Sequence, residues 1–302
     1  MAIYDVHAHI YPDAIAPRAA EAVGRFYGDA PIQGMGTVGQ LLEQAAESPV
    51  THLVVHSVAT TAHSVTSINN FIAATVAERN AQAEAAGTGK RLIGFMAMHQ
   101  DFPDPEAEIA RAVSLGLRGL KLHPDTQGVA VDDPRMMRIF ELAEGRLPVI
   151  VHTGDFRFDY SNPNRLVNVL RAFPNLTLDA AHFGYWSCCD RGWDGLREQA
   201  EHNPNLFVDC SSSLYALGQR HFAELVHLWG ADRVMFGSDY PMWHPAEEYR
   251  LVSESGLTEG ELQALFTRTP ERFLGAFRGQ SGSGGRQHAS TLPACKELSA
   301  RA

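Results

Sequence analysis

The sequence predicts an α/β protein that folds as a closed (β/α)8 TIM barrel, followed by a flexible C-terminal tail. Short apolar strands alternate with helices along most of the chain, and eight such strand–helix units follow one another. Strands that are apolar along their whole length are typical of parallel sheets covered by helices. The length of 302 residues suits one large barrel domain. A doubly wound open sheet is disfavoured, because such sheets more often stop at five or six strands and no Gly-x-Gly-x-x-Gly follows the first strand.

The strands are predicted from runs of apolar and β-branched residues bounded by turn residues. They span 3–10, 52–58, 92–98, 117–123, 147–152, 176–182, 206–210 and 233–238. The helices are predicted from apolar periodicity, capping residues and terminal glycines. After a short helix near 15–26, they span 38–47, 64–86, 104–115, 133–144, 164–173, 193–202, 215–229, 246–254 and 258–277. We therefore expect one barrel domain over residues 1–278 and a disordered Gly- and Ser-rich tail over 279–302.

The composition excludes several classes of function. The net charge is −10 and there is no long basic run, which disfavours binding to nucleic acid. No uncharged apolar run is long enough to span a membrane and no signal sequence is recognisable, so we expect a soluble, cytoplasmic protein that binds a small molecule. Barrels of this kind often pair through their outer helices, so a homodimer is one expectation. Four cysteines, Cys188, Cys189, Cys210 and Cys295, lack the spacing of a zinc ribbon or a disulfide framework, and the adjacent Cys188 and Cys189 are expected to be reduced thiols in a loop.

The first strand carries a His-x-His motif, His7 and His9. Side chains alternate between the two faces of a strand, so these histidines are expected to project to the same side, with Asp5 on that face one pleat deeper. Imidazole is a common ligand of zinc and similar divalent metals. The motif alone also fits a pair of structural histidines at a strand end, and it leaves both interpretations open.

Histidines elsewhere in the chain favour the metal interpretation. Active sites of such barrels form at the carboxyl ends of the strands. Of the 14 histidines, those at or next to predicted strand ends are His7, His9, His56, His99, His123, His152 and His182, and the last strand ends in Asp239. We interpret His56 and His99 as structural. His7, His9, His152, His182 and Asp239 can together complete a coordination set, since three imidazoles and one carboxylate suit a divalent metal with one position open for water or substrate.

Five motifs at strand ends occur in a fixed order. They are Asp5-Val6-His7-Ala8-His9, Gly119-Leu120-Lys121-Leu122-His123-Pro124, Val149-Ile150-Val151-His152, Ala181-His182-Phe183-Gly184 and Phe236-Gly237-Ser238-Asp239-Tyr240-Pro241. Over residues 3–277 the chain resembles the amidohydrolase superfamily, in the branch that includes the aminocarboxymuconate-semialdehyde decarboxylase-like proteins.

The resemblance implies that His7, His9, His152 and Asp239 hold one divalent metal, zinc first and manganese or another transition metal as alternatives. It also implies that His182 is an acid–base or polarising residue, or a ligand of a second metal in two-metal members. Asp239 would both contact the metal and take a proton from its water. A bound divalent ion lowers the pKa of water to about 7, and an adjacent carboxylate and imidazole can then move protons.

Lys121 faces inward on the fourth predicted strand and has three explanations. In two-metal amidohydrolases, a lysine on this strand, carboxylated on its amine, often bridges the metals, whereas the decarboxylase branch generally lacks it. Lys121 could instead bind a substrate carboxylate, alone or with His123, or form a structural ion pair, because a buried lysine is costly unless paired. We favour the substrate carboxylate.

Further pocket candidates lie in the loops after strands: Arg118, Asp155, Arg157, Tyr160, Trp186, Trp243 and His244. Arg157 is expected to bind a carboxylate, since its guanidinium group matches that geometry. Trp186 and Trp243 could form the wall of a site for a cyclic substrate, although loop packing explains each tryptophan equally well.

These residues together predict a metal-dependent hydrolase that uses activated water on a small cyclic or acyl substrate bearing a carboxylate. A metal-dependent non-oxidative decarboxylase of an aromatic or enol acid would use the same ligands and is the alternative. A catalytically silent binding barrel is disfavoured because none of the expected ligands is missing, although fold alone never establishes activity.

Overall fold

The chain forms a closed barrel of parallel strands surrounded by helices. We describe a computed structural model covering residues 1–28, 30, 32–87, 89–155, 157–184 and 193–278. Its strands form two parallel sheets, one with three strands and one with six. The ring closes where the first strand meets the last, because Val6 N donates to Phe236 O (2.9 Å) and His9 N donates to Tyr240 O (2.7 Å). The predicted (β/α)8 barrel is confirmed.

Nine strand segments occupy the eight predicted barrel positions. They are β1 (Tyr4–His9), β2 (His52–His56), β3 (Arg91–Gly94), β4 (Met96–Ala97), β5 (Leu120–Leu122), β6 (Val149–Val151), β7 (Leu178–Ala180), β8 (Leu206–Asp209) and β9 (Val234–Met235). The predicted third strand is divided at Phe95 into β3 and β4. At this point the hydrogen bonding passes from one neighbour to the other: Phe95 N donates to Val55 O (2.9 Å) and Met96 N donates to Gly119 O (2.8 Å).

The helices follow the predicted alternation with the strands. They are α1 (Ala16–Phe26), α2 (Val38–Ala45), α3 (Val65–Ala86), α4 (Pro105–Ser114), α5 (Pro124–Gln127), α6 (Pro134–Ala143), α7 (Pro163–Ala172), α8 (Trp193–His202), α9 (Ser213–Trp229), α10 (Pro245–Ser253), α11 (Glu259–Gln263) and α12 (Thr269–Leu274). The predicted helix over 258–277 is observed as α11 and α12 joined by a π-helical turn, Ala264–Arg268. α9 is interrupted at Gly218, which has a φ of 70°.

Two groups of buried apolar side chains make up the core. The larger group joins the strands to the surrounding helices. The smaller group fills the barrel interior and consists of Val6, Val54, Phe95, Ile150, Ala181, Phe207, Met235 and Phe273. Phe273 comes from α12, so the last helix contributes a side chain to this interior group.

A β-bulge in β1 changes which side chains face the barrel interior. Asp5 pairs with Leu53 and Ala8 with Val55, so two residues of β1 lie opposite one residue of β2. Such an extra residue shifts the alternation of side chains. The prediction that Asp5 lies on the same face as His7 and His9 is therefore wrong. Asp5 Oδ1 instead accepts hydrogen bonds from His7 N (3.1 Å) and Ser238 N (3.0 Å), and so joins β1 to the segment after β9.

Some sequence predictions fall outside the described residues. These concern the tail over 279–302 and the side chains of Trp186, Cys188, Cys189 and Cys295. Cys210 is buried and forms no disulfide. Within the described part of the chain, no helix combines the length and the apolar character that crossing a membrane requires.

Candidate metal centre

Polar side chains gather where the barrel strands end. β1 contributes His7 and His9, β2 contributes His56, β5 contributes Lys121 and β8 contributes Asp209. His152 follows β6 directly, His182 lies two residues after the end of β7, and Asp239 lies four residues after the end of β9. All of these except His9 are buried, and His9 is partly exposed. Residues that are far apart in the sequence therefore meet at one mouth of the barrel, where the strands end.

Three ligand atoms converge at the end of β1. His7 Nε2 and His9 Nε2 are 3.3 Å apart, and they lie 3.5 Å and 3.6 Å from Asp239 Oδ1. The corners of such a triangle lie about 2.0 Å from its centre, which is the distance of imidazole and carboxylate ligands from zinc. Burial lowers the pKa of His9 well below its usual value, so its imidazole is neutral, as a ligand must be. These residues fit a divalent ion.

His56 stands beside this triangle with its ring edge toward both histidines. The ring centroids lie 4.5 Å from His9 and 4.9 Å from His7. Neither ring nitrogen of His56 has a hydrogen-bond partner among the described residues, although the side chain is fully buried. A structural histidine is normally hydrogen-bonded when buried. Its position makes His56, which we interpreted as structural, a further candidate ligand with His7 and His9.

Asp209 and Ser211 accept hydrogen bonds from the Nδ1 atoms of His7 and His182. His7 Nδ1 donates to Asp209 Oδ2 at 2.7 Å, which leaves Nε2 unprotonated and available to a metal. Burial alone would raise the pKa of Asp209, but His7, His182 and Ser211 outweigh it, and the pKa lies well below its usual value. His182 Nδ1 donates to Ser211 O at 2.9 Å. These contacts fix the orientation of both imidazoles.

Asp239 is held by a chain of hydrogen bonds that ends at Trp243. Ser212 Oγ donates to Asp239 Oδ2 (2.5 Å), and Trp243 Nε1 donates to Ser212 Oγ (2.8 Å). The Trp243 ring packs against Tyr215, with centroids 4.7 Å apart. Trp243 therefore lies behind Asp239 and positions it, whereas the sequence suggested a wall of the substrate site.

His152 lies between His182 and a second group of polar residues. Its Nδ1 is 3.0 Å from His182 Nε2, and its Nε2 is 3.5 Å from Asp125 Oδ2. The His152 ring stacks on His123 with centroids 3.9 Å apart, and Tyr27 OH lies 2.8 Å from His123 Nε2. His123, Asp125 and His152 form a second set of side chains that could hold a cation. The placement of His152 with His7, His9 and Asp239 around one ion stays a prediction.

Lys121 is 1% exposed and its Nζ lies 2.8 Å from His7 Nε2. Burial lowers the pKa of Lys121 to about 8, although the nearby Asp209, Asp239 and Asp179 act in the opposite direction. No carboxylate of the described residues forms an ion pair with it within 4.0 Å, so the structural ion pair that we considered is not formed. Lys121 instead competes with any cation for the same imidazole nitrogen.

The turns after β7, β8 and β9 adopt left-handed backbone conformations. Among the described residues, the non-glycine residues with positive φ are His182 (60°), Phe183 (56°), Ser212 (57°) and Asp239 (59°). Such conformations cost about 1–3 kcal/mol each and are concentrated at functional sites. Here they turn the chain so that His182 and Asp239 face the barrel axis. Gly237 makes room beside them, because a Cβ at this position would lie 2.7 Å from His7 Cβ.

A cavity of about 610 Å³ opens above these residues. His9, His123, His152, His182 and Asp239 form its floor. Its walls come from the loop after β1, from α1, and from the start of α3. Its size and position are those of a small-molecule site.

Other predicted site residues lie away from this cavity. Arg157 is bound to Asp155, with Nη2 2.5 Å from Asp155 Oδ2, and it also donates to Phe26 O. Arg118 packs over Phe277, and His244 lies 3.9 Å from Glu47. Tyr160 is 37% exposed. His99, which we interpreted as structural, accepts at Nδ1 from Asp101 N (3.2 Å). None of these side chains lines the cavity in the described part of the chain.

Sequence reasoning missed Asp209, Ser211, Asp125 and Tyr27. Asp209 ends β8, so the strand-end rule could have found it once the apolar run 206–208 was followed to its last residue. Asp125 follows the Lys121–His123 motif and was also accessible by this rule. Ser211 and Tyr27 carry no comparable signal, because their roles depend on contacts with residues far away in the sequence.

Comparison with known proteins gives the family of the chain. The family model described as amidohydrolase matches residues 4–276, so the chain belongs to the amidohydrolase family, a family of enzymes. No protein with a curated description matched the sequence.

Several solved structures share the fold. A TIM-barrel protein of unassigned function from Bordetella bronchiseptica is 21% identical with a TM-score of 0.69, covering 91% of this chain and 99% of its own. The 5-carboxyvanillate decarboxylase from Sphingomonas paucimobilis is 16% identical with a TM-score of 0.61, covering 90% and 98%. A dihydroxybenzoic acid decarboxylase from Polaromonas sp. JS666, solved with manganese and 2-nitroresorcinol, is 14% identical with a TM-score of 0.65, covering 91% and 97%.

Proposed function

We propose that this protein is a metal-dependent hydrolase that acts on a small cyclic or acyl substrate. The observation that carries the proposal is the triangle of His7 Nε2, His9 Nε2 and Asp239 Oδ1, with sides of 3.3–3.6 Å, at the floor of a cavity. When bound, a divalent ion supplies a Lewis acid and a water acidic enough to ionise near neutral pH. Two imidazoles and a carboxylate suit zinc, with manganese as the alternative.

Asp239 and His182 are assigned the proton transfers. Asp239 Oδ1 points toward the triangle while Ser212 holds its Oδ2, so Oδ1 is positioned to take a proton from the attacking water. Asp239 can then return this proton to the leaving group. His182 donates through Nδ1 to Ser211 O, which directs Nε2 to the cavity floor beside His152. Burial lowers the pKa of His182, so His182 is a neutral base that can accept the second proton of the water as the product acid forms.

His152 and Lys121 complete the proposed centre. We assign His152 as the third imidazole ligand, because it is buried at the cavity floor with its ring centroid 4.9 Å from that of His182. Lys121 reaches the centre through His7, and its lowered pKa of about 8 makes the neutral amine accessible. The neutral amine is the form that a carboxylated bridging lysine requires. It also avoids repulsion between an ammonium group and a bound cation.

A non-oxidative decarboxylase is the second candidate, and the character of the cavity favours it. No lysine or arginine is among the described residues that line the cavity. A substrate carboxylate there would be poorly solvated, which favours its loss as neutral carbon dioxide. Decarboxylases also occur among the solved structures that share this fold.

Metal analysis combined with product analysis tests the proposal. Purified protein is expected to hold about one divalent ion per chain, and to release acid from small esters or lactones without producing carbon dioxide. Carbon dioxide released from carboxylated rings would favour the second candidate instead. A protein that turns over these substrates equally well after its metal has been removed would contradict both.

Histidine variants locate the centre. His7→Ala is expected to lose both the metal and turnover, because it removes one corner of the triangle. His182→Asn is expected to abolish turnover while retaining most of the metal. His99→Ala is the matched control, since His99 is also buried near a strand end but lies outside the cavity. Loss of the metal in His182→Asn would place His182 among the ligands and favour a second ion.

A further inference from the structure

The cavity above the candidate metal centre is apolar on the side away from the histidines. Ile15, directly before α1, and Ala19, Ala22, Val23 and Phe26 of α1 line it, at a spacing that places them along one face of the helix. The opposite face of α1, Ala16, Ala20 and Gly24, is buried against the protein. Ile68 and Phe71 of α3 face α1 across the cavity.

The serine hydroxyls and one threonine hydroxyl in these walls form hydrogen bonds with main-chain carbonyls. Ser64 Oγ donates to Thr61 O (2.8 Å), Ser67 Oγ donates to Ser64 O (2.9 Å), and Thr126 Oγ1 donates to His123 O (3.1 Å). Ser57 Oγ donates to Ile10 O. These four hydroxyl groups therefore form hydrogen bonds within the protein, and the side chains of α1 and α3 between them present mainly carbon surface to a ligand.

The basic residues near the cavity are turned away from it or buried. Arg157 binds Asp155 and stacks over the Phe26 ring, with its guanidinium carbon 4.9 Å from the centroid. It therefore fixes the end of α1 in place and is not available to a substrate carboxylate. Lys121 lies beneath His7 and does not line the cavity in the described residues. A second negative charge on a substrate would find no lysine or arginine counter-charge among the described residues of these walls.

We infer that the site accepts a substrate with an extended apolar body, alkyl or aryl, that carries a single polar end and no second anionic group. The polar end lies on the histidine floor and the apolar body lies between α1 and α3. This inference rests on the proposed function, which supplies the reason for the polar end to face the metal centre. It replaces the expectation that Arg157 binds a substrate carboxylate.

Binding of 4-alkylbenzoates to the purified full-length protein, measured by isothermal titration calorimetry, tests the inference. From benzoate to 4-butylbenzoate, Kd is expected to fall roughly threefold for each added methylene group. A methylene group that is fully buried in the cavity would lower Kd about fourfold. 4-Isopropylbenzoate and benzene-1,4-dicarboxylate are similar in size and differ in charge. The isopropyl compound is expected to bind at least about tenfold more tightly. A constant Kd along the series, or equal or tighter binding of the dicarboxylate, would overturn the inference.

Two surface variants locate the apolar body. Ile15→Glu places a charge on the α1 wall and is expected to remove the gain with chain length, and because Ile15 is 50% exposed the fold should tolerate the change. Leu115→Glu is the matched control, since Leu115 is 44% exposed and lies outside the cavity. Equal chain-length dependence in both variants would place the alkyl group elsewhere and overturn the inference.

Metal content and turnover are measured on the same preparations. If the probes bind in the expected order to protein that holds no metal or turns over no substrate, the inference stands and the proposed reaction fails. If metal-loaded, active protein gives a flat series, the proposed reaction stands and this inference fails.

Discussion

Asp209→Asn is expected to weaken metal binding because it reverses the tautomer of His7. The Asp209 carboxylate accepts at Oδ2 from His7 Nδ1 (2.7 Å), and its Oδ1 accepts from His182 N (3.1 Å) and Ser211 Oγ (2.5 Å). In the variant, the single amide oxygen remains with the donors at the Oδ1 position. The amide NH2 group then faces His7 Nδ1 and moves the imidazole proton to Nε2, the nitrogen that must be unprotonated to bind a metal.

The size of the effect follows from the burial and charge of this contact. Both side chains are at most 1% exposed, and the acceptor is an ionised carboxylate. A hydrogen bond to a charged group contributes about 1.5–3 kcal/mol, which corresponds to a change of roughly tenfold to a hundredfold in an equilibrium constant. Loss of such supporting contacts typically lowers metal affinity by about the same factor. We therefore expect the metal Kd to rise ten- to a hundredfold.

Competition with a chelator of known affinity measures this change. Asp179→Asn is the matched control: burial, and then the neighbouring Asp209, raise the pKa of Asp179 well above its usual value, so its side chain is already neutral. Nitrogen NMR of the His7 ring reports the tautomer directly. An Asp209→Asn protein that binds metal as tightly as Asp179→Asn, with Nδ1 of His7 still protonated, would refute the reasoning.

Two further substitutions have defined outcomes. Gly237→Ala is expected to reduce metal affinity at least about tenfold, because the new Cβ would lie 2.7 Å from His7 Cβ. Gly39→Ala is the control, since a Cβ there meets open space and should leave the metal affinity unchanged. Equal metal affinities of the two variants in calorimetric titrations would contradict the prediction. Burial raises the pKa of Glu248 from 4.5 to about 8, so the folded protein retains a proton that the unfolded chain releases, and stability falls as the pH rises through this window. Glu248→Gln should therefore match the wild type near pH 5 and exceed its unfolding free energy by on the order of 4 kcal/mol at pH 9; identical pH profiles in chemical denaturation would exclude this.

The barrel and the main members of the site could be predicted because both depend on local patterns. Apolar runs and capping residues define strands and helices, and strand polarity then determines which residues reach the active mouth. His7 and Asp239 are far apart in the sequence, yet the rule that sites form at strand ends places them together, as the structure does.

Other contacts required the closed barrel. The bulge in β1 moved Asp5 from the face of His7 and His9, and a single extra residue in a strand leaves no signal in the sequence. Arg157 matched the chemistry of a carboxylate site, but Asp155 two residues earlier binds it. The Trp243 ring is of the kind that forms a pocket wall, but in the structure it lies behind Asp239.

The sequence by itself determined the eight strand–helix units, the mouth of the barrel that carries the chemistry, and the histidines and carboxylate that gather there. Only the tertiary structure decided that Asp209 orients His7 and that α1 gives the cavity an apolar wall. The physical reason is the range of the forces involved. Helix and strand preferences act over a few residues, whereas the orientation of a ring and the lining of a cavity depend on pairs of side chains that meet only when the barrel has closed.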